Sequence, residues 1–232
     1  MWGMIHKNTN ISITVKENRV EATNCRSIIF DRPRNFTYEP GDWIDLEFKN
    51  LHLNGGKTYS LSSSPTEPDL MITLKDGISE VKKELARLKL GDKLKITQYG
   101  NGNKFILNPN KPSTLIAGGV GIAPFRSMLQ EMVDLDNKNS VNLVYFNKTS
   151  EFLFLSEIKQ YEKLLDGLKV IYIPTSELKK KDKAKALHAA IKTIDQSFYI
   201  AGPESMVETT EHLLLDSGVA LTDIKIDIFG GY

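Results

Sequence analysis

The chain of 232 residues carries 30 basic and 29 acidic side chains and is 41% hydrophobic, which is typical of a globular protein and excludes a disordered or collagen-like chain. Its net charge of +1 provides no overall attraction to nucleic acid. Because Cys25 is the one cysteine, the composition also excludes an intramolecular disulfide and any iron–sulfur or zinc site built on several thiolates.

Signals for export and membrane insertion are missing from the sequence. Residues 1–7 lack the basic stretch, apolar segment and cleavage site of a signal peptide. No run of about 18 apolar residues marks a membrane span. We therefore expect a cytoplasmic protein with no membrane span, no nucleic-acid partner and no fused iron–sulfur domain. The four histidines are scattered without metal-ligand spacing, so no metal site is expected.

Alternating apolar and polar residues dominate the first half of the chain, between Ile11 and Leu107. Runs that contain Ile13, Ile44, Ile72 and Ile96 are separated by turns rich in Gly, Pro and Asn. This pattern predicts a small antiparallel barrel or sandwich. One helix interrupts it, with Ser79 as its N-cap and Gly91 at its end.

The second half follows a linker at residues 108–112 and alternates strands with helices. The predicted strands are Ser113–Ala117, Val141–Phe146, Lys169–Ile173, Ser197–Ala201 and Lys225–Ile228. The predicted helices are Pro124–Leu135, Ser156–Leu165, Ala184–Ile194 and Glu204–Ser217. Helices of this length between strands imply a doubly wound parallel α/β sheet. We therefore predict two domains, residues 1–109 and 110–232.

The glycine-rich segment 117–125 follows an apolar strand and begins a helix. Gly118, Gly119 and Gly121 allow a ligand to approach the backbone closely, and Pro124 suits the first turn of a helix. Free N–H groups at a helix start favour a phosphate, and ligands bind at this end of a strand in doubly wound sheets. The spacing differs from G-x-G-x-x-G. The alternative is a tight turn that binds no ligand.

Two segments of the first half have weaker signals. In residues 57–65 the ring of Tyr59 suits stacking on a planar heterocycle, Ser60 supplies a hydroxyl, and the cation of Lys57 suits a phosphate. Residues 76–80 form a glycine turn before a helix, a second candidate anion site. The alternatives are a serine-rich turn and plain helix capping by Ser79.

Taken in order, these segments resemble the ferredoxin–NADP reductase-like family of flavin enzymes. That family joins an antiparallel Greek-key β-barrel, which binds flavin, to a doubly wound α/β domain, which binds a pyridine nucleotide. The resembling segments are Glu39–Ile44 (P-G-Q-F/Y), Lys57–Ser63 (R-x-Y-S-x-x-S), Lys75–Ser79, Ala117–Phe125 (G-G-T-G-I-A-P), Tyr145–Glu157, Ala201–Met206 (C-G-P-x-x-M) and Asp227–Tyr232 (terminal E-x-F/Y).

The resemblance implies a set of site residues. Tyr59 would stack on the isoalloxazine, Ser60 would lie near its N5 and Tyr232 would cover its other face, so these three are the expected catalytic residues. The other cofactor-binding residues expected in the first half are Lys57, Leu61, Ser62, Leu74, Lys75, Gly77, Ile78 and Ser79. Those expected in the second half are Gly118, Gly119, Val120, Gly121, Ala123, Pro124, Thr175, Ser176, Ala201, Gly202, Pro203, Met206 and Phe229.

Four positions depart from the family pattern. Lys57 replaces an arginine and so loses the bidentate phosphate contact. Val120 replaces a threonine, Ala201 a cysteine, and Asp227 the longer glutamate. We expect weaker flavin retention and altered hydride transfer, rather than inactivity.

The resemblance implies an NAD(P)H-dependent flavoprotein reductase that passes a hydride from NAD(P)H to N5 of FAD. FMN is less expected than FAD, because a turn such as 77–79 suits a pyrophosphate. Electrons would then pass to a separate ferredoxin, flavodoxin or small-molecule acceptor. The basic stretch of Lys82, Lys83, Arg87 and Lys89 suits an acidic partner or a solvated helix face.

The nucleotide and the mode of action leave alternatives. Thr175, Ser176 and Lys179 follow the third strand of the sheet and slightly favour NADPH over NADH. One alternative function is a flavin-binding electron-transfer or regulatory subunit that is active only within a complex. The other is a degenerate fold that binds no cofactor.

Overall fold

The computed structural model describes residues 5–48, 58–101, 104–176, 178–179, 182, 185–188, 191 and 193–230. Its first-half elements are β1 (Ile5–Ala22), β2 (Cys25–Asp31), β3 (Trp43–Glu47), β4 (Thr58–Ser60), β5 (Asp69–Lys75), α1 (Glu80–Arg87) and β6 (Lys93–Asn101). Its second-half elements are β7 (Ser113–Gly118), α2 (Ile122–Asp134), β8 (Val141–Asn147), α3 (Leu155–Leu164), β9 (Leu168–Pro174), β10 (Ser197–Pro203), α4 (Glu204–Asp216) and β11 (Ile224–Phe229).

The six strands of the first half pair antiparallel in the order β4-β3-β6-β1-β2-β5. Leu61, directly after β4, bridges Ile72 of β5, and the Ser62 amide donates to the Met71 carbonyl at 2.8 Å. Because β4 and β5 stand at the two ends of the order, these contacts close the sheet into a barrel. The predicted antiparallel Greek-key barrel is confirmed.

The barrel core comes from the alternation seen in the sequence, because successive side chains of a strand point to opposite faces. Ile13, Ile28, Phe30 and Ile72 are all fully buried in it. β2 is absent from the strands predicted above. Its Ile28 and Phe30 face the barrel core, whereas Ile29 packs against the core of the second half. With apolar side chains on both faces, the strand has no alternation to detect.

The second half forms a parallel sheet in the order β11-β10-β7-β8-β9, and the predicted doubly wound α/β fold is confirmed. Leu115 and Ala117 of β7 face α2 and α3 on one side, and Ile116 faces α4 on the other. Each of the five predicted strands is present. Of the helix predicted at Ala184–Ile194, residues 185–188 are helical, residues 191, 193 and 194 are not, and the others lie outside the described residues.

The two halves share a hydrophobic core. Phe105, from the end of the barrel half, has its ring centroid 5.6 Å from that of Phe125 on α2 and 5.5 Å from that of Tyr199 on β10. Ala22 and Met71 of the barrel belong to the same cluster. None of the described helices is long and apolar enough to cross a membrane.

Candidate functional site

A cavity of about 1270 Å³ lies between the barrel and the parallel sheet. All five strands of the sheet contribute residues at or just beyond their carboxyl ends, namely Gly118, Phe146, Thr175, Pro203 and Phe229. In doubly wound sheets, ligands bind at this edge, at the point where the strand order reverses direction. The cavity exceeds the range of about 300–1,000 Å³ common for small ligands, so it suits an extended molecule.

The glycine turn after β7 forms one wall of the cavity. A Cβ at Gly121 would lie 2.1 Å from the Ala201 carbonyl oxygen, and one at Gly118 would lie 2.2 Å from Met206 Sδ. These two glycines therefore let the turn pack against β10 and α4. Gly119 has φ +55°, and a Cβ there would lie 3.8 Å from Asn147 Oδ1, in ordinary van der Waals contact. The Cα of Gly119 therefore has room for close approach of a ligand in the cavity that this residue lines.

The turn runs directly into α2. Residues 119–121 form a short 3₁₀ turn, and neither this turn nor the start of α2 has a side-chain cap. No acidic residue stands in the first turn of α2. The partial positive charge of a helix start favours an anion, so this wall suits a phosphate group. Val120 lines the cavity here without the hydroxyl of the family's threonine.

A hydrogen bond joins the barrel to the last strand of the sheet. Ser60 Oγ at the end of β4 donates to Asp227 Oδ2 on β11 at 2.7 Å. Burial raises the pKa of Asp227, and the bond from Ser60 offsets part of that rise. Beside Ser60, burial raises the pKa of the Tyr59 phenol to about 12. Tyr59 is therefore a neutral, partly buried aromatic ring at physiological pH.

The turn between β5 and α1 carries a concentration of positive charge. Lys75 lines the cavity, and a Cβ at Gly77 would lie 2.6 Å from Cδ of Lys82. Burial, followed by the charge of Lys75, lowers the pKa of Lys82. Ser79 caps α1, with Lys82 N donating to its Oγ at 3.4 Å. Ile78, between Gly77 and Ser79, is 91% exposed.

Besides Tyr59, Ser60 and residues 77–79, described above, the predicted site residues lie in several different environments. Those that line the cavity are Lys75, Gly118, Gly119, Val120, Thr175, Pro203, Met206 and Phe229. Those packed in the cores or behind the turn are Leu61, Ser62, Leu74, Gly121, Ala123, Pro124 and Ala201. A Cβ at Gly202 would lie within 3.2 Å of backbone atoms of Gly118, so the two backbones pass close to each other. Ser176 donates its amide to the Lys148 carbonyl at 2.9 Å. Lys57 and Tyr232 lie outside the described residues.

Sequence reasoning missed a further set of cavity residues. They are Thr23, Asn24 and Cys25 at the β1–β2 turn, and Asn147, Lys148, Thr149 and Glu151 at the end of β8 and just beyond it. The two groups meet, since the Thr23 amide donates to Glu151 Oε1 at 2.9 Å. The asparagine at position 24 is a sequence signal for this turn, because asparagine commonly adopts left-handed backbone conformations in tight turns. In the structure Asn24 has φ +57°.

The basic stretch on α1 is partly neutralised. Lys83 pairs with Glu80 and Arg87 with Glu84, both at 2.8 Å and one helical turn apart. Within the described residues, no group of three or more His, Cys, Asp and Glu side chains is placed to hold a metal ion.

Comparison with known proteins gives consistent matches. The family model for the oxidoreductase NAD-binding domain matches residues 115–212. Flavohemoprotein A of Dictyostelium discoideum is 28% identical over 230 residues, which cover 90% of this chain and 58% of that protein. Sulfhydrogenase 2 subunit gamma of Pyrococcus furiosus is 33% identical over 168 residues, covering 69% and 57%. The chain thus spans little more than half the length of these relatives.

Solved structures share the whole fold at low sequence identity. Ferredoxin–NADP⁺ reductase from Plasmodium falciparum superposes with a TM-score of 0.80 at 16% identity, covering 98% of this chain and 100% of that one. A flavohemoglobin from Malassezia yamatoensis, described with bound FAD and heme, has a TM-score of 0.80 at 18% identity, covering 97% and 62%.

Proposed function

Because the chain belongs to the ferredoxin–NADP reductase-like family of flavin oxidoreductases, we propose that it is an NAD(P)H-dependent flavoprotein reductase with FAD as its cofactor. One observation carries this proposal. The Ser60–Asp227 hydrogen bond places the predicted flavin segment against the carboxyl edge of the nucleotide sheet, so that two ligands bound on either side would meet there.

The residues present fit a flavin. Tyr59 offers a neutral aromatic ring, and Lys75 and Lys82 concentrate positive charge beside a glycine turn, as a pyrophosphate requires. A cofactor held there would cover Ile78, an apolar side chain that is 91% exposed. When bound, the flavin supplies the chemistry of hydride acceptance and onward electron transfer.

The chain's own residues would orient the reaction. The start of α2 binds the nucleotide pyrophosphate, while Pro203 and Met206, which pack against Gly118, provide apolar contacts beside the glycine turn. Ser60 holds its hydroxyl proton toward Asp227, so the hydroxyl oxygen is fixed in place. Reacting atoms must approach to roughly 3–3.5 Å.

We favour NADPH over NADH. Lys148 lines the cavity after β8, and Thr175 lines it after β9, where a 2′-phosphate would find a cation. The Thr175 hydroxyl donates to the Asn147 carbonyl at 3.1 Å, so Lys148 carries most of this preference. The test is the kcat/KM for NADPH divided by the kcat/KM for NADH. We expect Lys148→Ala to lower that ratio, and a clear preference of the parent protein for NADH would refute the choice.

A second candidate function comes from one relative. Sulfhydrogenase 2 subunit gamma is, by its name, part of a multi-subunit protein, and this chain could likewise act as an electron-transfer subunit. The two candidates differ in isolated activity. A reductase with a diffusible ferredoxin, flavodoxin or small-molecule acceptor reduces ferricyanide steadily on its own, whereas an obligate subunit needs its partner chains for turnover.

The decisive experiment is the visible spectrum of the purified chain before and after anaerobic addition of NADPH, then of NADH. A flavin band that bleaches supports the proposal. A chain that binds no flavin after incubation with FAD contradicts it. A flavin band that neither nucleotide bleaches favours the subunit function.

A further inference from the structure

Arg126 on α2 is a buried cation at the boundary between the two halves. Its side chain is 7% exposed. Nη1 donates to the Ser62 carbonyl at 2.9 Å and to Glu67 Oε2 at 2.6 Å. Nη2 donates to Glu67 Oε1 at 2.9 Å, and Nε donates to Glu157 Oε2 at 3.0 Å. All three nitrogens of the guanidinium are therefore engaged.

The contacts of Arg126 demand an arginine. Its planar fork meets both oxygens of Glu67, a geometry that a lysine ammonium does not reproduce. The ring centroid of Phe154 lies 5.6 Å from the guanidinium carbon. Burial acts to lower the pKa of Arg126, but the hydrogen bond and charge of Glu67 outweigh it and the pKa is raised. The guanidinium remains charged at any pH at which the protein folds.

These contacts connect two segments that the proposed reaction must align. Ser62 stands two residues after Ser60, and Ser127, next to Arg126, donates its Oγ to the Ser63 carbonyl at 2.6 Å. Two consecutive residues of α2 thus donate hydrogen bonds to two consecutive carbonyls of the barrel half. Because Arg126 lies about one helical turn after Ile122, a displacement of residues 62–63 would be transmitted to the glycine turn through one rigid helix.

We propose that Arg126 is a positioning residue, whose bonds to Ser62 and Glu67 set the separation between the Tyr59–Ser60 segment and the glycine turn at Gly118–Gly121. The inference rests on the proposed function, because it assigns Arg126 a part in that reaction. A misplacement of about 1 Å between reacting groups is enough to slow a reaction about a hundredfold.

The test compares Arg126→Met, which keeps the aliphatic stem, with Arg126→Lys, which keeps the charge and loses the fork. At saturating nucleotide, we expect R126M to slow anaerobic flavin bleaching at least tenfold, with flavin content and nucleotide Kd nearly unchanged. R126K should fall between R126M and the parent. Because R126M leaves two carboxylates without their cation, R126M/E67Q/E157Q is the variant to use if R126M does not fold.

Lys111→Met is the matched control. Lys111 also pairs with two carboxylates, Asp223 at 3.1 Å and Asp195 at 3.2 Å, but it lies just before β7, at the opposite end of that strand from the cavity. K111M should lower stability without slowing the bleaching. If folded R126M loses as much stability as K111M and still bleaches at the parental rate, Arg126 has a purely structural role and the proposal is overturned.

A second readout separates this inference from the proposed function. Hydrogen exchange of the ligand-free chain should accelerate in R126M at the amides of both residues 60–64 and 118–123, but not in K111M. If the parent chain shows no bleaching, the proposed reaction fails while the exchange data still test the positioning. Exchange that is unchanged in both segments overturns the inference whatever the bleaching result.

Discussion

At the scale of single side chains, the hydrogen bond from Ser60 to Asp227 is the contact on which the proposed reaction most depends. We expect Ser60→Ala to slow flavin bleaching by NAD(P)H about tenfold or more, with flavin content unchanged, because the variant lacks the hydroxyl that Asp227 holds at 2.7 Å. Stopped-flow absorbance measures the rate. Ser27→Ala is the control, since it removes a buried hydroxyl that bonds Thr73 within the barrel, at 2.8 Å. A parental rate in S60A would contradict the assignment.

Asp227 also leads to a prediction about pH. Burial raises its pKa in the folded chain, so between the ordinary and the raised value the folded state binds more protons than the unfolded state. Stability must then fall as pH rises through that interval. The measurement is the free energy of urea unfolding of the parent and of Asp227→Asn, from pH 4 to 8. We expect the value for the parent minus the value for the variant to decrease as pH increases. A difference that is constant or grows with pH would refute this.

At the scale of elements, the glycine turn after β7 packs against β10 by close backbone approach. Gly121→Ala would place a Cβ 2.1 Å from the Ala201 carbonyl oxygen, and overpacking of this kind costs about 1–3 kcal/mol. We expect that loss in urea unfolding, together with weaker nucleotide binding. Gly230→Ala has nothing within 4 Å of its Cβ and should leave the free energy of unfolding unchanged.

The sequence predicted the elements where one physical pattern prevailed. The parallel strands are continuous apolar runs separated by helices, and their predicted bounds agree with the structure to within one or two residues. β2 was missed because Ile28 is buried in the barrel core and Ile29 packs against the core of the second half. The glycine turn could be located from its composition. Arg126 could not, because the partners that define it, Ser62 and Glu67, lie about sixty residues away along the chain.

At the scale of the whole molecule, the shared core joins the halves more closely than the proposed boundary near residue 110 implies. Asn108 of the expected linker donates its amide to the Tyr199 hydroxyl at 2.9 Å, and Phe105 inserts beside Phe125. We therefore expect the two halves to unfold together.

Calorimetry tests that cooperativity. We expect one transition for the parent chain. Phe105→Ala should cost about 3–5 kcal/mol and separate the transition into two, because Phe105 packs in the cluster that both halves share. Leu94→Ala removes a side chain buried within the barrel cluster alone, so it should lower the melting temperature and leave the number of transitions unchanged. Two transitions in the parent chain would disprove the coupling.

The Ser60–Asp227 bond also has a consequence for biosynthesis. Its partners stand 167 positions apart, so at about 5–20 residues per second a ribosome needs roughly 10–30 s to reach the second after making the first. The barrel strands end at Asn101 and emerge well before the sheet is finished. On the proposed function, the residues of the cofactor site are therefore synthesised before those of the nucleotide site, and the Ser60–Asp227 bond can form only after β11 has been made.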